Sequence, residues 1–136
     1  MFTDCSVITN DIDSSRIADF HSDAAISESW VAFPTVDWVV TNPPFNAALP
    51  ILKAAQAHAR FGVVFLLRLS FVEPTKTREQ FLANNPPQRQ IILPRWSYKQ
   101  NNSTDSVTTA WFVWTKTHRA IEIVPLLEKK TLIYMP

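Results

Sequence analysis

Apolar residues in this chain arrive in short runs cut by proline, asparagine and aspartate, and their period changes along the sequence. Ser6, Val7 and Ile8 precede Thr9-Asn10-Asp11-Ile12-Asp13, the pattern of a short strand opening into a loop that carries carboxylates. Ile17, Ala18 and Phe20, then Ala24, Ala25 and Ile26, predict a short helix and a second brief strand. Residues 36–41 read as an apolar, buried strand stopped abruptly by Pro43 and Pro44. Ala48, Ile51, Leu52, Ala55 and Ala59 recur at helical spacing over 47–60. Pro50 falls in the first turn of that helix, where proline is tolerated, and Gly62 is expected to close it.

Beyond the helix, residues 63–69 are continuously apolar, as in a strand buried on both faces of a parallel sheet. Residues 76–84 predict a short helix with Phe81 and Leu82 inward, stopped by Asn85-Pro86-Pro87, and 90–93 predict a strand. The run 107–115 reads as a long strand with a wide apolar face that includes Trp111 and Trp114; 121–127 continues apolar as a terminal strand or packing arm. The polar stretch 98–106 fits either a solvated hairpin tip or a lid beside Arg95 and Trp96. Helices and strands alternate, so the expected class is α/β.

A length of 136 residues predicts one domain. With 13 basic against 12 acidic residues, no global field draws the chain to nucleic acid, and any such contact needs a local basic face. One cysteine, Cys5, excludes an internal disulfide and is expected to be a buried small apolar residue. His21, His58 and His118 are too scattered for a zinc site or a catalytic base and are expected at surface or capping positions. No apolar run approaches the roughly 18 residues of a membrane span, and the start of the sequence lacks the pattern of a signal peptide. A cytoplasmic location is the default expectation.

Asn42-Pro43-Pro44-Phe45 carries the most specific chemistry, because ligands of open α/β sheets bind at the C-terminal ends of strands. An aromatic amine such as N6 of adenine is a poor nucleophile, since its lone pair is delocalised into the ring. Two acceptors on its hydrogens localise that pair, and the amide oxygen of Asn42 and the carbonyl of Pro43 are suited to the task. Proline's fixed φ holds the carbonyl's direction, and Phe45 offers a π-face to an unstacked base.

With these residues the chain resembles the S-adenosylmethionine-dependent methyltransferases that modify adenine N6 in DNA, whose hallmark is a strand ending in Asn- or Asp-Pro-Pro-aromatic. Leu66-Leu67-Arg68-Leu69-Ser70-Phe71-Val72-Glu73, Arg95-Trp96-Ser97 and Ala110-Trp111-Phe112-Val113-Trp114 look like segments of its phage-associated members. The resemblance implies a Rossmann-like methyltransferase sheet, truncated at the N-terminus, with a C-terminal antiparallel hairpin. It implies a catalytic turn of Asn42, Pro43, Pro44 and Phe45. It also implies that Asp11 holds the ribose hydroxyls, that Ile12 packs on the cofactor's adenine, that Asp23 and Ala24 lie at its amino group, and that Asn42 borders the cofactor. Phe45, Arg95 and Trp96 are the implied contacts to DNA.

One departure shapes the expectation. Such enzymes carry a strand and a glycine-rich turn against the methionine end of the cofactor, whereas the only glycine here is Gly62. The missing strand would lie between the acidic strand and the strand before Asn42, leaving unpaired edges for a homodimer or a missing N-terminal partner chain to fill. A non-catalytic relative that binds nucleic acid or a protein partner is the alternative expectation. Related turns also serve enzymes that methylate RNA bases or glutamine side chains.

Overall fold

The computed structural model describes residues 5–94 and 107–116, together with the backbone of 122–125. Strand β1 (Trp38–Thr41) leads through the Asn42 turn into helix α1 (Ala48–His58), which returns to strand β2 (Gly62–Arg68). A 3₁₀ turn (Leu69–Val72) and helix α2 (Glu79–Asn84) then precede β3 (Arg89–Ile92), β4 (Thr109–Thr115) and β5 (Glu122–Pro125). The five strands form one sheet in the order β1-β2-β4-β3-β5. β1 and β2 are parallel, as the intervening helix requires. β4 runs antiparallel to both β2 and β3 while β5 runs parallel to β3, so the chain is α/β with a mixed open sheet.

One face of the sheet makes the core. Val63, Phe65 and Leu67 of β2 alternate inward and lie opposite Trp114, Phe112 and Ala110 of β4. Ala48, Ile51, Leu52 and Ala55 of α1 cover them, with Phe71 from the 3₁₀ turn and the half-buried Phe81 and Leu82 of α2. Trp114 stacks on Phe112 with centroids 6.0 Å apart, and its indole N–H donates to the Asn85 carbonyl at 2.9 Å, tying the end of α2 to the sheet. The opposite face carries Val64 and Leu66 of β2, Trp111 and Val113 of β4 and Ile91 of β3, all half-buried and outside that cluster.

Several expectations change. β1 is not an interior strand but the edge of the sheet, with Trp38 43% and Val40 62% exposed. Hydrophobic content alone does not separate an edge strand from a central one. Residues 6–8 form no strand, because no neighbouring strand offers them a ladder; they are exposed, with a lone parallel bridge between Asn10 and Phe20 farther on. Cys5 is exposed rather than buried.

The expected helix at 17–20 and strand at 24–26 are absent as well. Ile17 is fully exposed, Ala24 and Ala25 sit in a turn, and a 3₁₀ helix (Ser27–Ala32) follows. Trp30 of that helix is buried and donates its indole N–H to the Ala24 carbonyl at 2.9 Å. It packs edge-on against Phe33 and lies 5.4 Å from the His58 ring, which docks the N-terminal segment on α1. His58 is also fixed by the Pro34 carbonyl, 2.8 Å from its Nε2.

Gly62 does not cap α1, whose C-cap is Ala59 in an extended conformation. It opens β2, opposite Trp38 on one side and Thr115 on the other. A Cβ at this position would meet the Trp114 carbonyl oxygen at 2.4 Å and the Trp38 ring at 2.6 Å. The constraint is therefore space, not backbone freedom. Gly62→Ala is expected to cost about 1–3 kcal/mol through overpacking against backbone, read as a lower urea midpoint; an unchanged midpoint would refute this reading.

Among the described residues no helix is long and apolar enough to cross a membrane.

Candidate active site

β1 ends at Thr41, and Asn42 is the first residue past the ladder, exposed at the sheet's C-terminal edge. Pro43 is buried and anchors the turn; Pro44 is exposed, and its carbonyl accepts from the Ala47 amide at 3.0 Å. That bond closes the turn, and the Ala47 carbonyl accepts in turn from the Ile51 amide at 3.2 Å as α1 starts. Two residues with fixed φ thus lead through a closed turn at 45–47 into a helix, so the segment has little freedom to lose on binding.

The two acceptors expected of this turn are unclaimed. Among the described residues neither the Asn42 carboxamide nor the Pro43 carbonyl makes a hydrogen bond. An exposed amide satisfied by water can exchange that water for an amine at small cost, whereas one locked to protein cannot. Phe45 is 48% exposed, and the Arg68 guanidinium lies over its ring, 4.3 Å from the centroid. Arg68 is the last residue of β2, so the parallel pairing of β1 and β2 brings these two strand ends together.

Beside the turn lies an open cleft of about 380 Å³. Phe45, Asn46 and Leu49 form one side; Phe71, Thr75 and Arg78 line the other. Arg78 sits over the Phe71 ring at 5.1 Å and donates from Nε to the Thr75 hydroxyl at 3.2 Å. Arg78 was not among the expected site residues. Its signal in the sequence is weak, a cation ten residues beyond β2 whose relation to Phe45 exists only once the chain has turned back.

The acidic N-terminal segment is knitted to its neighbour by side chains. Asp19 Oδ2 accepts from both the amide and the hydroxyl of Thr9 at 2.8 Å, and Asn10 exchanges hydrogen bonds with Ser22. The Thr9 amide and hydroxyl hold the Asp19 carboxyl below its ordinary range, and the Ser15 hydroxyl and amide do the same for Asp13. Asp11 Oδ1 accepts from the Asp13 amide at 2.9 Å, while Oδ2 makes no hydrogen bond among the described residues. Ile12 is 68% exposed beside it.

Asp23 spends one oxygen on the Ala25 amide at 2.9 Å, and Ala24 is half-buried with its carbonyl held by Trp30. The strip 9–13 runs alongside 19–23 through the Asn10–Phe20 bridge, so Asp11 and Asp23 belong to one patch. Among the described residues no hydrogen bond joins that patch to the Asn42 turn. Arg95 and Trp96, together with the polar stretch 98–106, lie outside the described residues. The chain matches no family model, no curated protein and no solved structure.

Proposed function

We propose that the chain transfers a methyl group from S-adenosylmethionine to the N6 amino group of adenine in DNA, within a Rossmann-like sheet whose β1 carries the catalytic turn. The observation that carries this reading is the pair of unclaimed acceptors, the Asn42 amide oxygen and the Pro43 carbonyl, at a strand's C-terminal edge beside an exposed aromatic ring. S-adenosylmethionine, when bound, supplies an electrophilic methyl on a positively charged sulfur. The part of Asn42 and Pro43 is to accept one N–H each, so that the nitrogen's lone pair leaves conjugation with the ring and points at that methyl. On receiving that methyl the nitrogen would become a cation, still held by the Asn42 and Pro43 oxygens through its N–H groups. It then loses a proton to solvent, so no histidine is required. Phe45 holds the base by stacking.

The cofactor fits unevenly. Its nucleoside end is matched by the free Oδ2 of Asp11 and the exposed Ile12. Its methionine end has no glycine cradle, since Gly62 is committed inside β2. That commitment supports the second reading, a non-catalytic relative that binds through the same edge. It also keeps a homodimer or an N-terminal partner chain in play as the source of the missing cradle, because β1 has no ladder neighbour on its outer side among the described residues.

Calorimetric titration of S-adenosylmethionine into the protein separates the two. The expected result is binding in the micromolar range, about 8 kcal/mol. In Asp11→Ala it should weaken about 10- to 100-fold, the loss of a charged hydrogen-bond acceptor. Absence of heat with the native chain would leave the binding domain as the surviving reading.

A further inference from the structure

We propose that the cleft between the Asn42 turn and α2 is a phosphodiester site, in which Arg78 and Arg68 grip the backbone of the single strand flanking the target base. It rests on the reading that the turn acts on a base in nucleic acid, and it adds the residues that hold the strand.

Arg78 lines the cleft, Arg68 lies over the lining residue Phe45, and Lys53 follows the lining residue Leu49 on α1; each of the three is laid on an aromatic face. Arg68 covers Phe45 at 4.3 Å, Arg78 covers Phe71 at 5.1 Å, and Lys53 covers Phe81 at 5.4 Å. Lys53 stands one helical turn beyond Leu49, which lines the cleft, and so shares its face of α1. In a chain of net charge +1 this is a local concentration, and the cleft lining contains no carboxylate. Glu73 and Glu79 lie near in sequence and are exposed, yet no ion pair joins either to Arg68 or Arg78 among the described residues. By contrast Arg16 and Arg60 are paired with Asp13 and Asp37. Among the described residues none of the three cations at the cleft has a counter-ion.

Arg78 is also prepared for a phosphate. Its Nε is tied to the Thr75 hydroxyl, and the 75–78 turn is closed by the Arg78 amide on the Thr75 carbonyl at 3.0 Å. Packing on Phe71 and this tether orient the guanidinium, and among the described residues both terminal amino groups are without a hydrogen bond, a fork able to donate to two phosphate oxygens. Thr75 and Thr77 add hydroxyls to the same cleft. Arg68 over Phe45 joins the backbone site to the stacking ring, so a strand gripped here presents its next nucleotide to the turn. Aromatic faces alternating with cations are the pattern by which single strands are held without regard to sequence.

The test is fluorescence anisotropy with a labelled single-stranded DNA of roughly 12 nucleotides, a length within the usual site sizes, across a series of KCl concentrations. One strand contains adenine, a second contains none, and an RNA of the first sequence is run beside them. Removing a cation that neutralises one phosphate should reduce the slope of log K against log salt by about 0.7. Arg78→Gln and Arg68→Gln are each expected to show that reduction, and the double variant about twice it. Arg78→Lys should keep the slope, because its charge remains. Arg60→Gln, at the opposite end of β2, is the control and should leave the slope unchanged.

The reduction should appear equally on the adenine-free strand, and a preference for RNA would assign the phosphodiester to that polymer. Slopes identical to the native protein's in both glutamine variants would overturn the site while leaving methyl transfer, assayed in parallel, untouched. No binding of any oligonucleotide would overturn it too. Loss of methyl transfer with the slope effects intact would instead fail the catalytic reading alone.

Discussion

Asn42→Ala should lower methyl transfer to adenine by about 10²–10³-fold, the size of effect seen when one preorganised polar partner of a developing charge is removed. The nitrogen gains positive charge as the new bond forms, so an acceptor on its N–H groups binds the transition state more tightly than the ground state. Removing the amide should therefore act on kcat more than on KM. Stability should hardly change, because the side chain is exposed and has no partner among the described residues, and such surface changes stay within about 0.5 kcal/mol. Asn42→Asp keeps an acceptor and should retain most of the activity. Radiolabelled methyl transfer to unmethylated DNA is the measurement; full activity in Asn42→Ala would remove this turn from the mechanism.

The largest expected loss of stability is at Phe112. Its side chain is fully buried between Phe71 and Trp114, and its backbone lies between β2 and β3, opposite Phe65 and Gln90. Phe112→Ala removes the transfer free energy of a whole ring and leaves a cavity at the junction of three strands, about 3–5 kcal/mol together. Against the 5–15 kcal/mol that holds a typical domain, this is a large share of the whole. Urea denaturation should show a much lower midpoint with a similar slope. A loss below about 1 kcal/mol would mean that the sheet's centre can repack, contrary to the dense packing of Phe65, Phe112 and Trp114.

The parts of the fold that were legible are those whose pattern is local. The 3.6-residue recurrence from Ala48 to Ala59 gives α1, the unbroken run after Gly62 gives β2, and the alternation around Phe112 gives β4. What was not legible depends on partners far along the chain. Val7 and Ile8 have strand character, but a strand without a neighbour has no ladder, so that stretch stays exposed and side-chain bonds stitch the residues after it. Gly62 looks like a helix stop, and only the approach of Trp38 and the Trp114 carbonyl reveals why a side chain is excluded.

The turn itself could be read from four consecutive residues because its chemistry is contiguous. The cleft beside it could not, since Phe45, Arg68, Phe71 and Arg78 meet only through the pairing of β1 with β2 and the return of the chain through α2. Asp11 follows an apolar run that is not a strand. Its free oxygen depends on the local turn to Asp13.

β4 lies between β2 and β3 although it is the last of the three to be synthesised. Gly62 pairs across from Thr115, so one flank of β2 stays bare on the ribosome until more than fifty further residues have been added. At about 5–20 residues per second that interval lasts about 3–10 s. Throughout it Val63, Phe65 and Leu67 have α1 on one face but no antiparallel neighbour along their open edge. The nascent chain thus displays an apolar strand edge for seconds, the kind of surface that holdase chaperones cover and that crowded polysomes turn into aggregates.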